Sequence, residues 1–180
     1  MNAVLSRRNP EDGPVESDKF LEAMSSASTS VNIVTTDGPA GRAGVTISAM
    51  CSVSADHPTV LVCVHHLSPV AKLIDDNGVF CVNLLTAEQS DISDTFAGRI
   101  NRDDDNKFGC AEWIAMATGS PGLVGGLVSF DCTVVQKMRW DTHHVFLGEV
   151  VDIERAGNDS LPLIYACRSY GAPSLLTQTH

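Results

Sequence analysis

The sequence has no Cys-x-x-Cys pair, few basic residues, and no apolar run near the roughly 18 residues of a membrane span. Each absence removes a class of function. The six cysteines, at 51, 63, 81, 110, 132 and 167, stand apart, mostly inside apolar runs such as Val62-Cys63-Val64 and Phe80-Cys81-Val82. A zinc knuckle or dithiol motif needs close pairs, so these cysteines read as small buried hydrophobes in a reducing cytosol. Twelve Lys and Arg against 22 Asp and Glu give a net charge of −10. That field repels nucleic acid and anionic lipid, which removes both as partners. The one adjacent basic pair, Arg7-Arg8, is followed by Asn9-Pro10-Glu11-Asp12 and by no apolar stretch, so it is not an export signal. The protein reads as cytoplasmic. Two further motifs are missing. The glycines of Gly38-Pro39-Ala40-Gly41-Arg42-Ala43-Gly44 and of Gly122 to Gly126 open no helix, so the dinucleotide fingerprint of a doubly wound fold is not encoded. No Gly-x-Ser-x-Gly elbow occurs either.

What is present fits one domain. The 180 residues are 43% hydrophobic and only 19% charged, enough apolar surface for a full core. Residues 1–17 hold Pro10, Gly13 and Pro14 and read as a flexible tail, 18–173 as the domain, and 174–180 as a second tail. Ser17 is placed to cap a helix to about Ala27, with Phe20, Leu21 and Met24 on one face. Strands are expected over 30–36 and 43–49. Another, over 59–64, is nearly all apolar and reads as central and buried on both sides. Ser68-Pro69 starts a helix that stops at Gly78. A strand over 79–85 follows. Thr86 and Gln89 form a capping box for a helix to about Phe96. Residues 99–109, with Asp103-Asp104-Asp105, read as a solvated loop rather than a calcium loop. Three β segments, 127–138, 143–154 and 161–167, complete the chain. The fold class is α+β dominated by antiparallel β, closed into a barrel or packed as a sandwich, with two or three helices.

Three groups of residues could carry chemistry. In Thr46-Ile47-Ser48-Ala49-Met50-Cys51-Ser52-Val53-Ser54, hydroxyls recur at 46, 48, 52 and 54. In a strand, 46 and 48 share a face, which makes either a pair of donors for a ligand or a row facing solvent. Ser68 and Lys72, four apart at a helix start, are either a phosphate site or a cap beside a surface lysine. His143 and His144 point to opposite faces of a strand, so at most one of them serves a site.

The whole pattern resembles the short-chain flavin reductases, the reductase components of two-component flavin-dependent monooxygenases. The likeness rests on Gly44-Val45-Thr46-Ile47-Ser48-Ala49-Met50-Cys51-Ser52-Val53-Ser54, then Pro58 to Val64, Ser68, Gly78 to Leu85, Phe96-Ala97-Gly98, His143 with Phe146 to Val150, Pro162 to Tyr165, and Tyr170-Gly171. It covers about residues 18–173. The resemblance implies a split β-barrel that dimerises with flavin near the subunit interface. It implies NADH or NADPH as donor, and FAD or FMN as acceptor, with FAD favoured by the likeness to reductases serving aromatic hydroxylases. It implies flavin contacts from Ser30-Val31-Asn32, from Thr46 to Ala49, from Cys51 to Ser54, and from Tyr170. Ser68 and Phe96-Ala97-Gly98 would hold the phosphate side, and His143 would lie near the nicotinamide. The family commonly reads Gly-Asp-His where this chain has Asp141-Thr142-His143, and often glycine where it has Ser30. The partner implied is a flavin-dependent monooxygenase, with an aromatic substrate as the common case. Two alternatives are a split-barrel reductase of a corrinoid or iron, and a flavin-binding protein without turnover.

Overall fold

Two residues, Ser48 and Ala49, separate the outermost strands of the main sheet. The computed structural model describes residues 13–100, 104–157 and 159–174. Most of the expected N-terminal tail, the Arg7-Arg8 pair, Asp103 and residues 175–180 lie outside them. Seven strands pair antiparallel: β2 (Asn32–Thr36), β3 (Ala43–Ile47), β4 (Met50–Ser54), β5 (Thr59–His65), β6 (Val79–Leu84), β9 (Val128–Trp140) and β10 (His143–Glu154). Their order is β3-β2-β6-β9-β10-β5-β4. The two edges, β3 and β4, are therefore neighbours in sequence. A link this short forces the sheet to curl until its ends meet, yet no ladder joins them among the described residues. The result is the split β-barrel implied by the resemblance. The strand expected over 43–49 ends at Ile47, and a corner at Ser48 and Ala49 leads into a further strand, β4.

The interior of the barrel holds Val34, Val60, Val62, Val64, Phe80 and Phe146. Helix α2 (Pro69–Asn77) closes it with Val70, Ala71 and Ile74. Ser68 sits at the N-cap and Gly78 ends the helix at φ 71°, the left-handed geometry that favours glycine. A second core packs Val31, Ile33, Leu85, Ile92 and Phe96 under helix α3 (Ser90–Phe96). It is flanked by a 3₁₀ segment, Asp104–Cys110, and by a small hairpin of β7 (Trp113–Ala115) and β8 (Pro121–Leu123).

Several expectations are corrected. The doubly buried strand is β2, not β5. Every residue of β2 is buried, because its two faces serve the two cores. Its polar composition hid this: Thr35 Oγ1 donates to Pro121 O at 2.6 Å, and Thr36 Oγ1 to Val79 O at 2.8 Å. β5 alternates, with Val60, Val62 and Val64 inside and Leu61 and Cys63 only half-buried outside. Helix α1 (Ser17–Ser25) has Glu16, not Ser17, at its N-cap position, makes no side-chain capping bond there, and buries no residue. Helix α3 starts at Ser90; Thr86 N–H does donate to Gln89 Oε1 at 3.0 Å, but this closes a turn ahead of the helix. The last segment shrinks to β11 (Ile164–Ala166), which pairs with the short strands β1 (Thr29–Ser30) and β12 (Ser169–Gly171).

Asn83 on β6 ties the cores together. Its Nδ2 donates to Ile33 O at 3.1 Å, and its Oδ1 accepts from Leu123 N–H at 2.8 Å and Ser129 Oγ at 2.7 Å. Among the described residues no helix is long and apolar enough to cross a membrane.

Candidate functional site

β3 pairs with β2 along one edge only. Along the other edge, every second residue directs its N–H and C=O outward without a strand partner. That free edge is the floor of a groove made of three adjoining cavities. The first, about 210 Å³, is lined by Thr46, Ser48, Ser93, Arg99, Tyr165 and Tyr170, with Val31, Ile47 and Ala97. The second, about 300 Å³, lies over the start of α2 and is lined by Arg42, Gly44, Ser68, Leu73, Lys107 and Phe108, together with Phe96. The third, about 240 Å³, is lined by Thr46, Ser48, Ala49, Cys63, Ser68 and His143, with His65 beside them.

Local structure explains each position. Gly44 allows β3 to lie against α3: a Cβ there would stand 2.6 Å from the Phe96 ring. Phe96 itself packs edge-on to Phe108 and Trp113 at 5.2 and 5.5 Å. Thr46 Oγ1 donates to Ser93 O at 2.7 Å, which fastens β3 to α3 and leaves its lone pairs, not its proton, for the groove. Ser48 is exposed and uncommitted to any such bond. The Ser68 hydroxyl makes no capping bond and faces the second and third cavities.

Tyr170 is the hub of a polar network. Its OH lies 2.9 Å from Ser93 Oγ, donates to Asp94 Oδ1 at 2.8 Å, and accepts from Arg99 Nη1 at 3.1 Å. Arg99 also pairs with Asp94 at 2.9 Å. Burial raises the Tyr170 pKa, offset in part by the hydrogen bond to Ser93. Arg42 lies 4.5 Å over the Phe108 ring, which puts a cation at the mouth of the second cavity. Burial likewise raises the Cys63 thiol, with Cys51 adding to it.

The register separates the two histidines. His143 pairs with His65 across β10 and β5, and their rings meet edge-on at 5.1 Å. The His144 ring stacks with Phe146 at 5.8 Å, away from the groove.

Of the residues singled out from the sequence, the groove gathers Val31, Thr46, Ile47, Ser48, Ala49, Ser68, Phe96, Ala97, His143 and Tyr170. It does not gather Lys72, which points to solvent and pairs with Asp76. The i, i+4 spacing served an ion pair on the exposed face of α2. Ser30 and Asn32 lie behind the groove, where Asn32 Nδ2 donates to Ser30 Oγ at 3.1 Å. Gly98 takes φ 73° just after α3 and lines none of the three cavities. Cys51, Ser52, Val53 and Ser54 are exposed on β4, outside all three. Sequence reading missed Arg42, Ser93, Arg99, Lys107, Phe108 and Tyr165. They come from five separate segments and share no spacing that would have marked them.

The chain matches a family model described as flavin reductase like domain over residues 24–174. It is 42% identical over 158 residues, 88% of this chain and 86% of the relative, to a protein of Ancylobacter novellus named FMN reductase (NADH) RutF. Among solved structures, it superposes with a TM-score of 0.79 and 28% identity on BorF, the flavin reductase component of a bacterial two-component tryptophan halogenase, covering 87% of this chain and 98% of that one. The styrene monooxygenase flavin reductase of Pseudomonas putida S12 gives a TM-score of 0.77 at 25% identity, covering 87% and 98%. With a family model spanning most of its length and a relative this similar over nearly all of it, the chain belongs to the flavin reductase like family.

Proposed function

We propose that this protein is an NADH-dependent flavin reductase that reduces FMN or FAD by hydride transfer and releases the product to a partner monooxygenase. One observation carries the reading: the free edge of β3 floors a groove of three cavities, one with Arg42 and Lys107, one with Arg99, and one with His143.

The residues fit a flavin. The flat ring system carries acceptors and one donor around its rim, and an unpaired strand edge offers alternating N–H and C=O groups to match them. Arg42, Lys107 and the first turn of α2 supply the positive end that a phosphate needs. When bound, flavin supplies the ring nitrogen that accepts the hydride. The chain's own part is orientation and charge stabilisation. The Ser48 hydroxyl and the β3 backbone would hold the flavin ring edge and supply hydrogen-bond donors to negative charge on it. Cys63 and Val64 give the third cavity an apolar side for a stacked ring. His143, in the same cavity, positions the nicotinamide by shape and hydrogen bonding and transfers no proton. The chemistry demands two stacked rings more than an acid or base, which accounts for a groove without a catalytic constellation.

The relative's printed activity favours FMN as acceptor and NADH as donor. The recipient of reduced flavin is proposed to be a flavin-dependent monooxygenase acting on an aromatic compound, in keeping with solved reductases named as components of a tryptophan halogenase and a styrene monooxygenase. The test is loss of the reduced nicotinamide absorbance with FMN, with FAD and without flavin. Turnover is expected to require added flavin, with a higher kcat/KM for FMN than for FAD. NADH loss at the uncatalysed rate with both flavins would overturn the reading.

A further inference from the structure

Three imidazoles, His65, His66 and His143, gather at the third cavity, and the sequence ties only His143 to a recognisable pattern. His65 ends β5, directly opposite His143 on β10. The His65 ring lines the cavity with His143 and stacks on His66 at 5.0 Å and an interplanar angle of 21°. The hydrogen bonds fix the chemistry of each ring. His65 Nδ1 accepts the Leu67 backbone N–H at 3.2 Å. A ring nitrogen that accepts carries no hydrogen, so the hydrogen of a neutral His65 sits on Nε2. His66 does the reverse: its Nδ1 donates to Thr142 O at 2.8 Å, and its backbone N–H donates to the same oxygen at 2.9 Å. Thr142 in turn places its Oγ1 2.9 Å from His143 Nδ1. The segment Asp141-Thr142, where this chain departs from the family pattern, is therefore pinned to the end of β5, and the two histidines that line the cavity are held by separate bonds.

We propose that His65 is a second substrate-binding residue of the nicotinamide pocket, acting as an Nε2–H donor beside His143. The geometry suits an uncharged carbonyl acceptor, such as the carboxamide oxygen of NADH, better than a phosphate. Among the described residues no Lys, Arg, Asp or Glu lines the third cavity; Arg42 and Lys107 line the second, and Arg99 the first. His66 is a positioning residue that acts through Thr142 and does not touch the substrate. This assignment rests on the reading of the third cavity as the nicotinamide side.

The test compares His65→Phe, which keeps a flat ring for stacking and removes the donor, with His65→Gln, which restores an N–H at similar reach. Both are measured beside the unaltered protein in steady-state NADH oxidation at saturating FMN, and FMN affinity is followed by quenching of its fluorescence. His65→Phe is expected to raise KM for NADH about tenfold, more than it lowers kcat, and to leave FMN affinity in place. His65→Gln should recover most of the loss. If the Phe variant does not fold, His65→Leu serves for it. An unchanged KM for NADH in an active, donor-free variant overturns the assignment alone. A loss confined to FMN affinity overturns the placement of the nicotinamide in this cavity. Absence of flavin-dependent turnover in the unaltered protein overturns the proposed activity and this assignment with it.

Discussion

Thr46 and Ser48 share a strand face in the sequence pattern and have different work in the structure. Thr46 spends its proton on Ser93 O, so it is first a rivet between β3 and α3. Ser48 sits at the corner where β3 ends, lines both the first and third cavities, and keeps its proton. Replacing Ser48 by Ala is expected to remove one hydrogen bond to the proposed flavin, about 0.5–1.5 kcal/mol, or a roughly two- to tenfold loss of flavin affinity. Its melting temperature should not move. Thr46→Val removes the bond to Ser93 O but leaves that carbonyl its second donor, Ala97 N–H at 2.9 Å, so it costs about 0.5–1.5 kcal/mol of stability and loosens the floor of the groove as well. The double variant is expected to bind flavin roughly ten- to a hundredfold more weakly. Flavin titrations and thermal unfolding of the three variants separate these effects. If Ser48→Ala binds flavin as the parent does, the ring edge is not held at this corner.

At the scale of elements, the apolar patterns and the punctuation were legible. Ser68-Pro69 and Gly78 bracket α2 to the residue, and Asp37-Gly38-Pro39 turns the chain between β2 and β3. What failed to show was burial produced by polar pairing. β2 and the Asn83 network look half-exposed in composition because their hydroxyls and amide find partners 38 to 86 residues away in the chain. Asp131 on β9 is another such case. It is fully buried, and its two oxygens accept Thr118 Oγ1 at 2.6 Å and Thr118 N–H at 2.7 Å, which holds the β7–β8 hairpin to the sheet. Burial raises its pKa, the Thr118 bonds lower it in part, and the cross-strand neighbour Asp152 raises it again. The folded chain therefore holds this proton to higher pH than the unfolded chain does. The stability it contributes is fully present below the ordinary carboxylate value, about 3.9, and is lost as pH rises through the raised one. Asp131→Asn cannot ionise and lacks that loss. The unfolding free energy of the parent minus that of the variant, from urea titrations, is expected to fall as pH rises from acid toward neutral. A difference that stays constant with pH would show that Asp131 titrates alike in both states.

At the scale of the whole molecule, one face of the barrel is left apolar and uncovered. The register sets Met138, Val145 and Cys63 in one row across β9, β10 and β5, and Leu147, Leu61 and Cys51 in the next row across β10, β5 and β4. Phe146 and Val62, one residue along, are fully buried, so these two rows face outward. Met138 is 50% exposed, and so is Val53 on β4. A chain with a net charge of −10 gains nothing by wearing such a face to water, and a second copy is the natural cover, as the resemblance implied. The same face borders the third cavity through Cys63 and contains Cys51 and Val53, two of the residues expected at the flavin that the groove of a single chain does not gather. Pairing two barrels through these rows brings β4 of one copy against the other and would return those residues to the ligand. The protein is therefore expected to be a homodimer in solution, with Leu61→Glu plus Leu147→Glu giving a folded monomer. Both side chains point away from the barrel core, so circular dichroism should be retained. Flavin affinity should fall although neither residue lines the groove. Light scattering and flavin titration of the same samples decide the matter: a monomeric parent, or a dimeric double variant, would move the interface elsewhere and leave β4 without a part in binding.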